Sequence, residues 1–240
     1  SSAASDVYKR QMSHHSNFYL TVLELNDIPN HFGTAIAKQL LGEYTVTDTQ
    51  GIAKKRIYGY TRSDWFKWKI AQVLKQTPYH DLMFLSEEVC SHLILTNEDA
   101  EIIHEHELIE FDEDDYERDA FTLNYYTVIP AHKVGDILTQ VNSLLTWCAN
   151  NIEIIADILE WSHEDILNAM NTMQAYDCVN DCPNDDEGNT ESFFFCALAS
   201  IQAMLSHAQA NGLYAIYKNE NFDVGLDWFL AHKPQMISFA

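Results

Sequence analysis

Apolar positions recur with a helical period through most of the second half of the chain. Val134, Leu138, Val141, Leu145, Cys148, Ile152, Ile155 and Leu159 step by four and three, which places all eight on one face of a long helix. Ile137, Leu144 and Ile158 widen that face, so it belongs against a core. The pair Asn150-Asn151 is where the pattern is most open to interruption. Ser162 followed by Asp165 has the form of a capping box, with Trp161 and Ile166 spaced as a hydrophobic staple, and predicts a second helix from His163 to about Tyr176. A third helix is expected over Glu191 to Asn211, with Phe194, Leu198, Ile201, Leu205 and Ala208 inward and Gly212 as its C-terminal cap. Beyond it, Leu213 to Tyr217 reads as a short strand and Asp223 to Leu230 as a short helix.

The first half alternates more than it repeats at a helical period. Phe18 to Leu25 is apolar enough for a strand, and Pro29 to Leu41 has helical spacing at Phe32, Ile36 and Leu40 before Gly42. Tyr44 to Thr49 and Ile52 to Tyr60 alternate around Gln50-Gly51, which predicts a hairpin. A helix fits Ser63 to Gln76, stopped by Pro78, and another is expected over Leu82 to Leu95. Glu101 to Phe111 and Ala120 to Ile129 read as two strands, the second rich in Phe, Tyr, Thr and Val. Between them Asp112 to Asp119 forms an acidic hairpin tip.

These elements make an α+β protein. Its N-terminal part, 12–129, is mixed α and β with antiparallel hairpins; its C-terminal part, 130–240, is helical and packed with the first as one compact body. No flexible linker separates the two, and there is no internal repeat. Read back through codons, Ser1 to Gln11 resembles a translated sequencing adapter, so residues 1–11 are set aside as non-native and Met12 is taken as the natural start.

Charge divides the chain more sharply than any linker. Of 240 residues, 36 are acidic and 14 basic, a formal balance of -22. Met12 to His80 carries eight bases and five acids, whereas Asp81 onward carries four bases and thirty acids. That balance disfavours nucleic acid or an anionic membrane as partner of the whole molecule. The longest apolar run, Phe193 to Leu205, has 13 residues, short of the ~20 that span a bilayer. Five cysteines, an odd number, suit free thiols in a reducing cytoplasm better than a disulfide framework.

Three clusters invite a chemical reading. His104-Glu105-His106-Glu107 is the most metal-like, because on a strand His104 and His106 project from one face and reach a common divalent ion. Histidines on the polar face of an edge strand explain the same pattern. Cys178 and Cys182 have the spacing of half a zinc site, but Cys196 and His207 are eleven residues apart, about 16 Å along a helix, and cannot complete it. Two incidental thiols are the simpler account. Asp185-Asp186-Glu187-Gly188 suggests a calcium loop, yet aligning Gly188 with the loop's glycine puts Pro183 and Phe194 where carboxylates belong. The third cluster is Lys54-Lys55-Arg56-Ile57-Tyr58 with Arg62, Trp65, Lys67, Trp68 and Lys69, basic and aromatic in the manner of single-strand binding surfaces. A basic face docked on the protein's own acidic part accounts for it equally. No phosphate-binding glycine loop, nucleophile elbow or His-Glu-x-x-His pattern occurs.

The expectation from sequence is therefore a cytoplasmic interaction protein without a cofactor, whose acidic surface binds a basic protein partner. Inhibitor, immunity-type and nucleic-acid-mimic roles all fit. Asp112, Glu113, Asp114, Asp115 and Glu117 at the tip, with Asp185, Asp186 and Glu187 in the later loop, are the expected contacts. The alternatives are a metal-dependent enzyme, such as a hydrolase, using His104 and His106, and single-strand nucleic-acid binding through 54–69.

Overall fold

A computed structural model of the chain describes residues 19–23, 53–58, 65–86, 88–95, 120–175, 190–225, 231 and 234–239. Within them the alternating and β-branched segments form strands, the 3.6-period segments form helices, and the fold is α+β. Strands β1 (Tyr19–Leu23), β2 (Ala53–Tyr58), β4 (His92–Leu95), β5 (Ala120–Ile129) and β6 (Tyr214–Gly225) build one five-stranded sheet in the order β2-β1-β6-β5-β4. Every neighbouring pair in it is antiparallel. A separate parallel pair joins β3 (Val89–Cys90) to β7 (Gln235–Met236).

The centre of the sheet is closed on both faces. Along β6, Ala215 and Tyr217 belong to the core shared with the helices. Ile216 between them points the other way, with Val128 opposite it on β5, and both are buried as well.

Among the described residues the sheet is accompanied by helices α1 (Trp65–Leu74), α2 (Ala131–Asn150), α3 (Ile152–Leu159), α4 (His163–Thr172) and α5 (Thr190–Asn211). The apolar stripe predicted from Val134 onward faces the core. Seven of its eight residues are buried, and the eighth, Ile152, is half-buried against it. The stripe is carried by two helices, α2 and α3, that meet at Asn151. There the side-chain amide donates to the Trp147 carbonyl at 2.8 Å while the backbone leaves the helical region at φ -130, ψ 44. The Asn side chain thus takes up a carbonyl that the broken helix leaves open.

Helix α4 begins with the expected reciprocal cap. Ser162 Oγ accepts from the Asp165 amide at 3.1 Å, and the Asp165 carboxylate accepts from the Ser162 amide. The staple residues Trp161 and Ile166 both join the core. At its N-terminal half α5 is buried all round, from Phe194 to Ser200, and Phe194 meets Phe66 of α1 at 5.4 Å between ring centroids. It ends as glycine dictates. Gly212 sits at φ 64, with the Leu213 amide donating to the Ala208 carbonyl and the Gly212 amide to Gln209, the paired bonds of a Schellman end.

Two expectations are overturned. Leu82 to Leu95 is not a helix: a 3-10 turn spans His80–Leu85, and β3 and β4 follow. The reason lies in two serines. Ser86 Oγ donates to the Met83 carbonyl and accepts from the Glu88 amide, drawing the chain into an extended turn. Ser91 Oγ donates to the Tyr126 carbonyl and accepts from the Val128 amide, tying the segment to β5. Short hydroxyl side chains compete with the helical ladder in this way. The short helix expected from Asp223 also fails at its start, because Asp223 to Gly225 continue β6 in register with β5. The described partner of β2 is β1, Tyr58 lying opposite Tyr19. The predicted hairpin partner 44–49 lies outside the described residues, as do the helix at 29–41, the strand at 101–111 and residues 1–11. No helix among the described residues is long and apolar enough to cross a membrane.

Candidate interaction surface

An ammonium group deprived of water must find acceptors or lose its charge. In α1 the exposed and buried positions are the reverse of what a basic binding helix requires. Lys67 and Lys69 are buried, at 1% and 3% exposure, and Trp68 between them is 62% exposed. Lys69 Nζ donates to the Ile158 carbonyl at 2.6 Å and to Glu160 Oε1 at 2.7 Å, and lies 5.1 Å from the Trp68 ring centroid. It therefore caps the C-terminal end of α3, where carbonyls lack intrahelical partners and a cation is favoured.

Glu160 is held in place from the other side. It occupies the left-handed position that ends α3, at φ 64, ψ 36, a conformation usually left to glycine. The Lys69 hydrogen bond, and then its charge, hold the Glu160 carboxyl below its ordinary value of 4.5. Lys75, the next base along α1, pairs with Glu88. In both pairs a base from the N-terminal segment meets an acid from beyond residue 80.

The helical region presents the opposite sign. From Lys133 to Lys218 the chain contains neither lysine nor arginine between those two residues, against twelve acidic residues. Asp136, Glu153, Asp157, Glu160 and Glu164 are exposed on α2, α3, α4 and the turn between the last two. Lys69 reaches α3, and its charge is already engaged.

The residues singled out from sequence are divided by the structure. Lys54, Lys55, Arg56 and Tyr58 lie on β2, the outermost described strand of the sheet, with Lys55 opposite Val22 and Arg56 opposite Thr21. Trp65 opens α1. Asp112, Glu113, Asp114, Asp115, Glu117, Asp185, Asp186, Glu187, His104, His106, Arg62, Cys178 and Cys182 lie outside the described residues. Among the described residues no three His, Cys, Asp or Glu side chains come together as a metal-binding group. Cys90, Cys148 and Cys196 are free and buried, and burial pushes the Cys148 thiol up to about 12.

Sequence reasoning missed the Lys69 to Glu160 link, which joins positions 91 residues apart. The one available signal was negative. A lysine flanked by Phe66, Trp68 and Ile70 sits in a run too apolar for a solvated helix face. The chain matches no family model, no curated protein and no solved structure.

Proposed function

We propose that this is an interaction protein whose acidic surface binds a basic protein partner, in an inhibitory, immunity-type or nucleic-acid-mimicking role. The observation that supports this reading is the run of exposed carboxylates along the described helices. Two bases of the N-terminal segment are already engaged: Lys69, buried, on Ile158 and Glu160, and Lys75, exposed, on Glu88. The helices from Asp136 to Glu164 expose carboxylates with no lysine or arginine interspersed. Such a surface steers a cationic partner and raises the encounter rate by about tenfold or more at low salt. The acidic tip and the 185–187 loop, with the highest local density of carboxylates, are the proposed contacts, in the cytoplasm.

The same arrangement weighs against the nucleic-acid alternative. A single-strand surface needs exposed rings flanked by cations, and the exposed Trp68 has buried lysines on either side. Capture of partners on the immobilised protein at low and high salt tests the proposal. A basic protein retained at low salt and released at high salt, with retention lost when Asp112, Glu113, Asp114, Asp115 and Glu117 are replaced by Asn or Gln, supports it. Retention of none at either salt ends it.

A further inference from the structure

Among the described residues, segment 234–239 is held by one short strand pairing, the buried Pro234 and the half-buried Ile237 and Phe239, which pack against the core. Its strand β7 lies parallel to β3, with Cys90 opposite Met236. The Gln235 amide donates to the Glu88 carbonyl at 2.7 Å and the Ile237 amide to the Cys90 carbonyl at 2.9 Å. Phe239 meets Phe84 edge-on, 6.2 Å between ring centroids. The Cys90 thiol donates to the Met236 thioether at 3.7 Å. Gln235, Met236 and Ser238 are exposed, Met236 at 56%, yet Cys90 against it is buried.

The other two described thiols are placed differently. Cys148 lies on the inner face of α2 within the main core, and Cys196 lies in the fully buried half of α5. Exposing Cys148 requires lifting α2 from the core. Between Cys90 and solvent on the β7 side stand two main-chain bonds, a weak sulfur contact and the half-buried side chains of Ile237 and Phe239. Chain-terminal segments of half-buried and exposed residues open at free energies below that of global unfolding.

We infer that segment 234–239 is a strap that opens locally while the core stays folded, and that it controls access to the Cys90 thiol. In the closed state Cys90 is protected twice. It is occluded, and burial pushes its thiol up to about 11 from an ordinary 9.0, which starves it of the reactive thiolate. Opening removes both protections together, so a solvent-borne electrophile meets a thiol of ordinary acidity. Alkylation by N-ethylmaleimide reads this directly: the thiolate sulfur adds to the alkene carbon, and the neighbouring carbon takes up a proton.

The test follows alkylation of Cys90 and Cys148 in the same full-length molecules, by mass spectrometry of their peptides, over a range of low urea concentrations. Cys90 is expected to react at least about tenfold faster than Cys148, with a rate that rises only weakly with urea, because local opening exposes little surface. Phe239→Ala, which removes the ring contact, is expected to speed Cys90 by about tenfold and leave Cys148 unchanged. The inference is overturned if the two cysteines share one rate and one urea dependence, or if Phe239→Ala moves both together or neither. Should that variant fail to fold, the comparison of Cys90 with Cys148 in the unaltered protein decides alone.

Discussion

Replacing Tyr217 by Phe removes one oxygen from the middle of the molecule. Tyr217 is 1% exposed on β6, and its hydroxyl donates to the Leu85 carbonyl at 3.1 Å, across 132 residues of sequence. Leu85 closes the 3-10 turn, so its carbonyl is among those a helical end leaves open. Phe keeps the ring, and with it the edge-on contact with Phe84 at 5.2 Å between centroids. The change therefore removes the hydroxyl's bond to Leu85 while the ring stays in place. A buried carbonyl left without its donor costs ~1–3 kcal/mol, and ~2 kcal/mol is the expected loss. At ~2–4 °C per kcal/mol for a chain of this size, the melting temperature falls by about 4–8 °C. Urea unfolding followed by far-UV circular dichroism measures it, with an unchanged slope showing that the surface exposed on unfolding is the same. A stability within ~0.5 kcal/mol of the parent would refute the reasoning, since the Leu85 carbonyl would then have another donor.

Three further outcomes are expected. Ser162→Ala deletes the acceptor for the Asp165 amide and is expected to cost ~1 kcal/mol in urea unfolding, whereas Ser162→Asp retains most of that. Lys69→Met keeps the length and burial of the side chain but removes the donor to the Ile158 carbonyl; with the ammonium's desolvation relieved in return, a net loss of ~1–2 kcal/mol is expected. The difference between Lys69→Met and the parent also depends on pH. The folded Glu160 carboxyl is held below its ordinary 4.5, so the ion pair contributes fully above that value and is lost as pH falls through the lowered one. The gap between the two proteins is thus flat above pH 4.5 and narrows below it, and because Glu160 is exposed at its side chain, added salt shrinks the pH-dependent part. For the proposed partner, neutralising the exposed Glu153, Asp157 and Glu164 together as Gln, Asn and Gln is expected to slow association severalfold at low salt with little change in dissociation, measured by surface plasmon resonance.

How far the fold could be read from the chain depends on the range of the interaction involved. Ser162 with Asp165, Asn151 with Trp147, Gly212 with Gln209 and Leu213 with Ala208 each settle a helix boundary through a bond spanning a few residues. The residue types at those positions carry that information by themselves. The inward face of α2 and α3 was equally legible, because a 3.6-residue period has one apolar side wherever the helix packs. The site was legible as charge and not as geometry. Composition announces the excess of acid, but it does not say that Lys69 and Lys75 are absorbed by Glu160 and Glu88.

The remainder was decided by contacts between distant residues. Leu82 to Leu95 has an apolar content that suits helix or strand, and the choice fell to Ser91 bonding across to β5, 35 and 37 residues away. Strand β6 runs on past Tyr217 because β5 accompanies it as far as Gly225, and it takes the centre of the sheet because β1, nearly 200 residues earlier, pairs along its other edge. Apolar periodicity and capping chemistry specify which residues turn inward and where helices stop. They are blind to partners, because a strand's hydrogen bonds are completed by another segment, and a buried lysine's charge is satisfied by whichever helix end the fold brings to it.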